Sequence, residues 1–211
     1  MVSVCAVVAI AAALIGSVQA ETNALNLTMF VAHQTATKTF AADLQQTFHW
    51  TFPRKHVESV GRIYYQTPDS LALLLTSPVV ESVVVRGSDL YIQRDKQATV
   101  HRTLQVRDGR PTQNVQFLLA FFQNGCTNFT HLFNAAMTQT TNTTTITLAP
   151  KHPVQMFPLR QVTNVLGWPD LAVQSMRIGL IWDSYITYEF RRAARNEPVD
   201  PAMFAIPTKT P

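Results

Sequence analysis

Residues 61–75 read GRIYYQTPDSLALLL, two strand-like runs on either side of one break. Pro68 removes a backbone donor and fixes φ, so the run is interrupted at Thr67-Pro68-Asp69-Ser70. Before the break, Ile63 and Tyr65 alternate with Arg62, Tyr64 and Gln66; after it, Leu71, Leu73 and Leu75 alternate with Ala72 and Leu74. Strand side chains point to opposite faces with a period of two. Ile63, Tyr65, Leu71, Leu73 and Leu75 therefore share one face. That face is either the core side of an ordinary sheet or the lining of a greasy concave surface, and the stretch by itself admits both.

The flanking sequence extends the same pattern. Upstream, Phe40, Ala42, Leu44, Phe48, Trp50 and Phe52 occupy even positions with polar residues between them, which predicts a long half-buried strand ended by Pro53. A charged turn, Arg54-Lys55-His56, leads to the 61–75 pair. Before the strand, Leu25, Met29, Ala32 and Ala36 fall on one helical face, predicting a helix over 25–36. Downstream, strands are expected at 81–86 and 90–94 around a tight turn at Gly87, and at 100–106.

A helix follows at 113–123, with Val115, Leu118, Leu119 and Phe122 on one side and Phe117 and Phe121 on another. A helix apolar over so much of its circumference needs burial on more than one face. Asn124-Gly125 suits its C-cap. A short helix is expected at 128–133 and a Thr- and Asn-rich turn at 138–145. Further strands are expected at 146–148, 162–165, 171–181 and 185–191, the last with Ile186, Tyr188 and Phe190 on one face. The proline-rich tail from Pro198 is expected to run extended along an edge.

These elements predict a mainly β protein with some α (α+β). About ten or eleven antiparallel strands form an unclosed barrel whose concave face is covered by helices. A single sheet of this size must curl, and there is no βαβ alternation.

The chain of 211 residues is 46% hydrophobic and 14% charged, with a net charge of +4. The basic residues are scattered, so nucleic acid is not expected as a partner. Residues 2–18 carry no charge, and the stretch runs out through Ser17-Val18-Gln19-Ala20 to Glu21, the pattern of a signal peptide (1–20) cleaved after Ala20. A single domain over 21–211, exported and monomeric, is the expectation. Cleavage removes Cys5 and leaves Cys126 alone, so no disulfide forms within the mature chain.

Motifs of catalysis are missing from the sequence: Gly-x-Ser-x-Gly, His-Glu-x-x-His and the glycine-rich phosphate loop are all absent. The six histidines are dispersed, and Cys126 with His131 reads as coincidence rather than a thiol–imidazole pair. Neither a reaction, a metal nor a cofactor is expected. Excess apolar surface on a curved sheet instead suits a hydrophobic ligand. Burying a 16-carbon acyl chain stabilises a complex by about 12 kcal/mol at ~0.8 kcal/mol per CH₂. The expected lining is Phe40, Leu44, Ile63, Tyr65, Leu71, Leu73 and Leu75, with Leu118 and Phe122 from the helix above.

An ordered series of motifs resembles a known family. Thr39 to Gln46 (TFAADLQQ) resembles its first strand, and Gly61 to Asp69 (GRIYYQTPD) its Gly-x-Leu-x-x-x-Arg/Lys-Pro strand. Gly87, Leu90 and Tyr91 resemble a dGxxLw hairpin, and Leu118 to Phe122 (LLAFF) resembles a lid helix. Leu148-Ala149-Pro150-Lys151 resembles Leu-Thr-Pro-Lys, and Val199-Asp200 with Phe204 resembles a carboxy-terminal Val-Asp-x-x-x-Phe element. The chain is thereby similar to the outer-membrane lipoprotein carriers of the LolA family, as a divergent member. The resemblance implies an unclosed barrel plugged by helices, and acylated lipoproteins or lipids as cargo. It also implies an inner-membrane ABC-type transporter as donor, an outer-membrane acceptor, and a periplasmic location. The family's basic lid-contact residue before the proline is Thr67 here, which carries no charge. That departure admits carriage of a free lipid or polyene-type acyl product, and a further alternative is lipoprotein sensing by a regulatory protein.

Overall fold

The computed structural model describes residues 30–207, apart from 96, 105, 108–109, 112–113, 125–131, 154–157 and 169. Strands β1 (Thr39–Trp50) and β2 (Lys55–Gln66) pair along their whole length, from Thr39 opposite Gln66 to Trp50 opposite Lys55. The turn therefore falls at 51–54 rather than at the charged residues 54–56, which takes Phe52 out of the expected half-buried strand and leaves it exposed, and β2 begins at Lys55. Its outer half is polar, but pairing with β1 satisfies the backbone N–H and C=O groups whatever the side chains.

Strand β3 (Ser70–Ser77) returns from the Pro68 break, followed by β4 (Glu81–Arg86), β5 (Asp89–Arg94) and β6 (Val100–Thr103). The strand expected over 100–106 stops at Thr103, and Val106 belongs to β7 (Val106–Arg107), which pairs with β8 (Arg110–Pro111) as a separate ribbon. The second half of the sheet comprises β9 (Phe133–Gln139), β10 (Thr143–Pro150), β11 (Leu159–Gly167), β12 (Val173–Leu180) and β13 (Tyr185–Arg195). Eleven strands form one antiparallel sheet in the order β6-β5-β4-β3-β2-β1-β13-β12-β11-β10-β9. The first and last long strands meet at its centre, and the edges β6 and β9 do not pair, so the curled sheet stays open as expected.

Several boundaries differ from the sequence expectation. The Thr/Asn tract forms strand ends, with its turn confined to 140–142; threonine is β-branched and favours extended backbone. Phe133 opens β9 rather than closing a short helix, whose other expected residues up to 131 lie outside the described ones, with Cys126 and His131. The strand expected from Leu171 starts at Val173, because Leu171 takes a left-handed φ of 53°.

Helix α1 is described over residues 30–35, and α2 spans Asn114–Asn124. The face expected on α1 is displaced. Ala32 and Ala36 are exposed, while Phe30, Gln34 and Thr37 are buried. Phe30 has far more apolar area to lose than an alanine, and it fixes the helix's rotation by packing against Phe121, ring centroids 5.9 Å apart. Leu25 and Met29 lie outside the described residues, as do the signal-peptide region and the Gly125 cap.

Buried residues fall into a large cluster between the concave face and the helices, and a small one on the convex face. The tail takes part in the second. Instead of following an edge, it crosses the outside of β3 and β4, where a 3-10 turn (Pro201–Phe204) sets Phe204 against Tyr64, Ala72 and Val84. Asp200 starts that turn by accepting from the Ala202 N–H at 2.9 Å.

Candidate functional site

The concave face is assembled by strand register. Phe40 stands opposite Tyr65, Ala42 opposite Ile63, and Leu44 opposite Gly61. Across the next ladder Ile63 faces Leu73, Tyr65 faces Leu71, and Gly61 faces Leu75. At Gly61 the β2–β3 register shifts, and a Cβ there would lie 2.1 Å from the Leu74 carbonyl oxygen. Only glycine permits that approach of backbone to backbone.

Helix α2 lies over this face. Its residues from Val115 to Phe122 are all buried, including the polar Gln116. The expectation of burial on more than one side of this helix holds. Phe122 stacks on Tyr65 at 5.4 Å between centroids and packs tilted against Phe40 at 4.6 Å; Phe190 of β13 meets Phe40 edge-on at 5.9 Å. All nine residues nominated from the sequence (Phe40, Leu44, Ile63, Tyr65, Leu71, Leu73, Leu75, Leu118 and Phe122) lie in the one large buried cluster. Val85, Leu90 and Phe190 belong there too and were not nominated. Phe190 carried a visible signal, its alternation with Ile186 and Tyr188.

The Tyr65 hydroxyl is buried in this apolar setting without a hydrogen-bond partner. Burial first, and the charge of Asp69 second, push its pKa up to about 12. Tyr188 is likewise raised to about 12, chiefly by burial.

Beside the packed seam, between α1, β1 and β13, lies a cavity of about 270 Å³. Phe40, Phe122, Leu171 and Val173 form its apolar floor. His33, Gln34, Thr37, Asp170 and Arg195 form its polar roof. Arg195 reaches the roof because of a bulge. Between the pairs Ala41–Ala194 and Asp43–Arg191, β13 carries one extra residue, with Arg192 at a left-handed φ of 50°. Alternation from Ile186, Tyr188 and Phe190 would otherwise turn Arg195 outwards; the bulge switches the inward set to Ala193 and Arg195.

The guanidinium is held against α1. Arg195 Nε donates to Thr37 Oγ1 at 2.7 Å, Nη1 meets His33 Nε2 at 2.6 Å, and Nη2 donates to the His33 carbonyl oxygen. Desolvation first, then the Arg195 charge, lower the His33 pKa below its usual value, against an opposing pull from Asp170. Burial also lowers Arg195 from its ordinary value. Sequence reasoning missed this cluster, since Arg195 lies more than 150 residues from His33 and Thr37.

Residues 35–207 match the sequence model of the family described as outer membrane lipoprotein carrier protein LolA. The chain belongs to the LolA family. A carrier-type, lipoprotein-binding role is what that membership supports. Among solved structures, an uncharacterized conserved protein from Thermus thermophilus is similar with a TM-score of 0.51 at 8% identity, covering 87% of this chain and 94% of that one. A LolA superfamily protein from Nitrosomonas europaea aligns with a TM-score of 0.44 at 6% identity, covering 87% and 97%. MucB of Pseudomonas aeruginosa, solved with MucA, aligns with a TM-score of 0.49 at 11% identity, covering 85% of this chain and 60% of that one. No curated protein matches the chain by sequence.

Thr67, expected from the sequence at the lid contact, is exposed, and its hydroxyl has no hydrogen-bond partner among the described residues. The tie between α2 and the β2–β3 turn is made one residue away: Gln123 Nε2 donates to the Pro68 carbonyl oxygen at 2.9 Å. That tie is a neutral bond to backbone, and neutral hydrogen bonds are roughly half as strong as charge-assisted ones. Among the described residues no cluster of His, Cys, Asp or Glu could hold a metal, and no helix is long and apolar enough to cross a membrane.

Proposed function

We propose that this protein is a periplasmic carrier that shields the acyl chains of lipoproteins between its concave sheet face and α2, moving them from the inner to the outer membrane. The observation that carries the reading is the plug itself. An 11-residue helix, buried from Val115 to Phe122, fills the concave face, and among the described residues one neutral hydrogen bond ties its end to the β2–β3 turn. The cavity of about 270 Å³ falls below the ~300–1,000 Å³ usual for ligand sites. An acyl chain is admitted when α2 gives way and the chain replaces its side chains on Phe40, Ile63, Tyr65, Leu71 and their neighbours. Swapping one apolar surface for another keeps the exchange near balance, which a carrier needs for release. The donor would be an inner-membrane ABC-type transporter and the receiver an outer-membrane acceptor; no chemical reaction enters the cycle.

A second reading, carriage of a free lipid, is favoured by one observation. Thr67 brings no charge to the lid, and the charge near the cavity comes from Arg195 instead. Native mass spectrometry of the protein recovered from a bacterial periplasm separates the two. Co-purified triacylated lipoprotein is the result expected of the first reading, and a bound free amphiphile moves the assignment to the second. Normal lipoprotein sorting in cells depleted of the protein would sink the first.

A further inference from the structure

Three groups in the roof of the cavity are short of partners. Gln34 is only 3% exposed, and its side-chain amide has no hydrogen-bond partner among the described residues. His33 Nδ1 is buried and makes no hydrogen bond of good geometry, with the Asp170 backbone as its nearest polar neighbour in effect on its pKa. Arg195 takes part in no ion pair among the described residues, and its bonds to Thr37 and His33 leave part of its five-donor fork free. Buried polar groups are normally paired, so unpaired ones around a cavity describe the ligand they lack. Here the missing ligand supplies acceptor oxygens and negative charge.

The floor describes the rest of it. Phe122 belongs both to the cavity and to the seam, where it stacks on Tyr65. An apolar tail entering beside Phe40 and Phe122 would continue under α2 without crossing a polar surface. At ~30 Å³ per water-sized unit, about 270 Å³ holds a head group and the first few methylenes and no more. Asp170 is the one acidic lining group. It is exposed and engaged at its own turn, Oδ1 accepting from the Ala172 N–H at 3.3 Å.

We infer that the cavity beneath α1 seats the anionic head group of a single-chain amphiphile, a carboxylate or a phosphate monoester, bound by Arg195 and Gln34 with its tail laid over Phe40 and Phe122. The inference rests on the reading of the concave face as an acyl-chain site, and it names the head group that site takes. Arg195 serves two purposes, holding α1 through Thr37 and His33 and presenting its remaining donors to the ligand.

Isothermal titration of the purified protein with dodecanoate, dodecyl phosphate and 1-dodecanol tests it, the anions below their micelle concentrations and the alcohol below its solubility limit. The anions are expected to bind at least ~10-fold tighter than the alcohol, the increment of one charge-assisted hydrogen-bond set. Whichever anion binds tighter identifies the head group. Gln34→Leu, which leaves the Arg195 bonds intact, and Arg195→Gln are each expected to erase most of that preference while the alcohol's affinity stays. Equal binding of alcohol and anions by the unaltered protein overturns the inference and leaves the acyl-chain reading standing. Failure of all three to bind overturns both. Should Arg195→Gln release α1 and unfold, Gln34→Leu and the ligand series on the unaltered protein still decide.

Discussion

Phe122 stands between two surroundings built from the same sheet. On one side, Phe40, Tyr65 and Phe190 pack around it in a dry seam that continues through Ile63, Leu71 and Leu73. On the other, a cavity opens toward His33, Gln34 and Arg195. The seam is closed by contacts made many times over, whereas the cavity is bounded by groups still waiting for a partner. Stability should therefore be concentrated in the seam and ligand discrimination in the cavity. Variants that separate the two properties test whether the division is real.

The largest effect is expected where the seam meets the β2–β3 bulge. A methyl group on Gly61 would sit 2.1 Å from the Leu74 carbonyl oxygen and 2.7 Å from the Leu75 Cα, both backbone atoms that cannot swing away. Gly61→Ala should lose more than about 4 kcal/mol in urea denaturation, the range reserved for severe core or backbone conflicts. An unchanged midpoint would mean that the bulge is not part of the fold in solution.

Phe122→Ala tests the shared residue. It removes the one ring that packs against both Phe40 and Tyr65 and joins the cavity to the space left behind. A loss of about 3 to 4 kcal/mol is expected. Dodecanol should at the same time bind more tightly, because the plug has been thinned. Loss of stability without any gain in binding would show that the seam is only a core, and the division between the two regions would fail.

How much of this was legible beforehand follows the same division. The seam is written in simple alternation. Ile63, Tyr65, Leu71, Leu73 and Leu75 keep strict period two, and the backbone pairs them as that period requires. The two-sided apolar pattern of residues 113–123 likewise announces a buried helix. The cavity is written in exceptions. Arg195 faces inwards because Arg192 adopts a left-handed conformation, and Leu171 enters the floor from another such residue. No periodicity anticipates a bulge. Gln34 looks like an ordinary surface residue until Phe30 sets the rotation of α1. Sequence patterns report repeated geometry, and the polar site is made at the points where repetition stops.

A smaller effect sharpens the seam itself. The Tyr65 hydroxyl is buried without a partner, so removing it takes nothing favourable away. Tyr65→Phe should leave stability unchanged or raise it by up to about 1 kcal/mol, since the desolvated hydroxyl is relieved and the ring keeps its stack on Phe122. A drop of similar size would reveal a partner for that hydroxyl in solution, such as an ordered water.

The smallest effect concerns acid, and it separates the regions by their titration. Tyr65 and Tyr188, in the seam, have pKa values raised to about 12, so neither changes charge near neutrality. His33, in the roof, is held below its ordinary 6.5, first by desolvation and then by Arg195. Its folded pKa lies below its unfolded one. The unfolded chain therefore takes up the proton first as pH falls, and folding loses ground from the unfolded pKa downward until the folded pKa is passed. Above pH 6.5 the group has no effect. The measurement is a difference: urea midpoints of the unaltered protein and of His33→Gln, each at about pH 7.5 and about pH 5. Glutamine keeps an acceptor near Arg195 but takes up no proton. The unaltered protein should lose more stability between the two conditions than the variant does. Equal losses would mean that His33 meets acid as an exposed histidine does, and that the roof of the cavity is wetter than its buried Nδ1 implies.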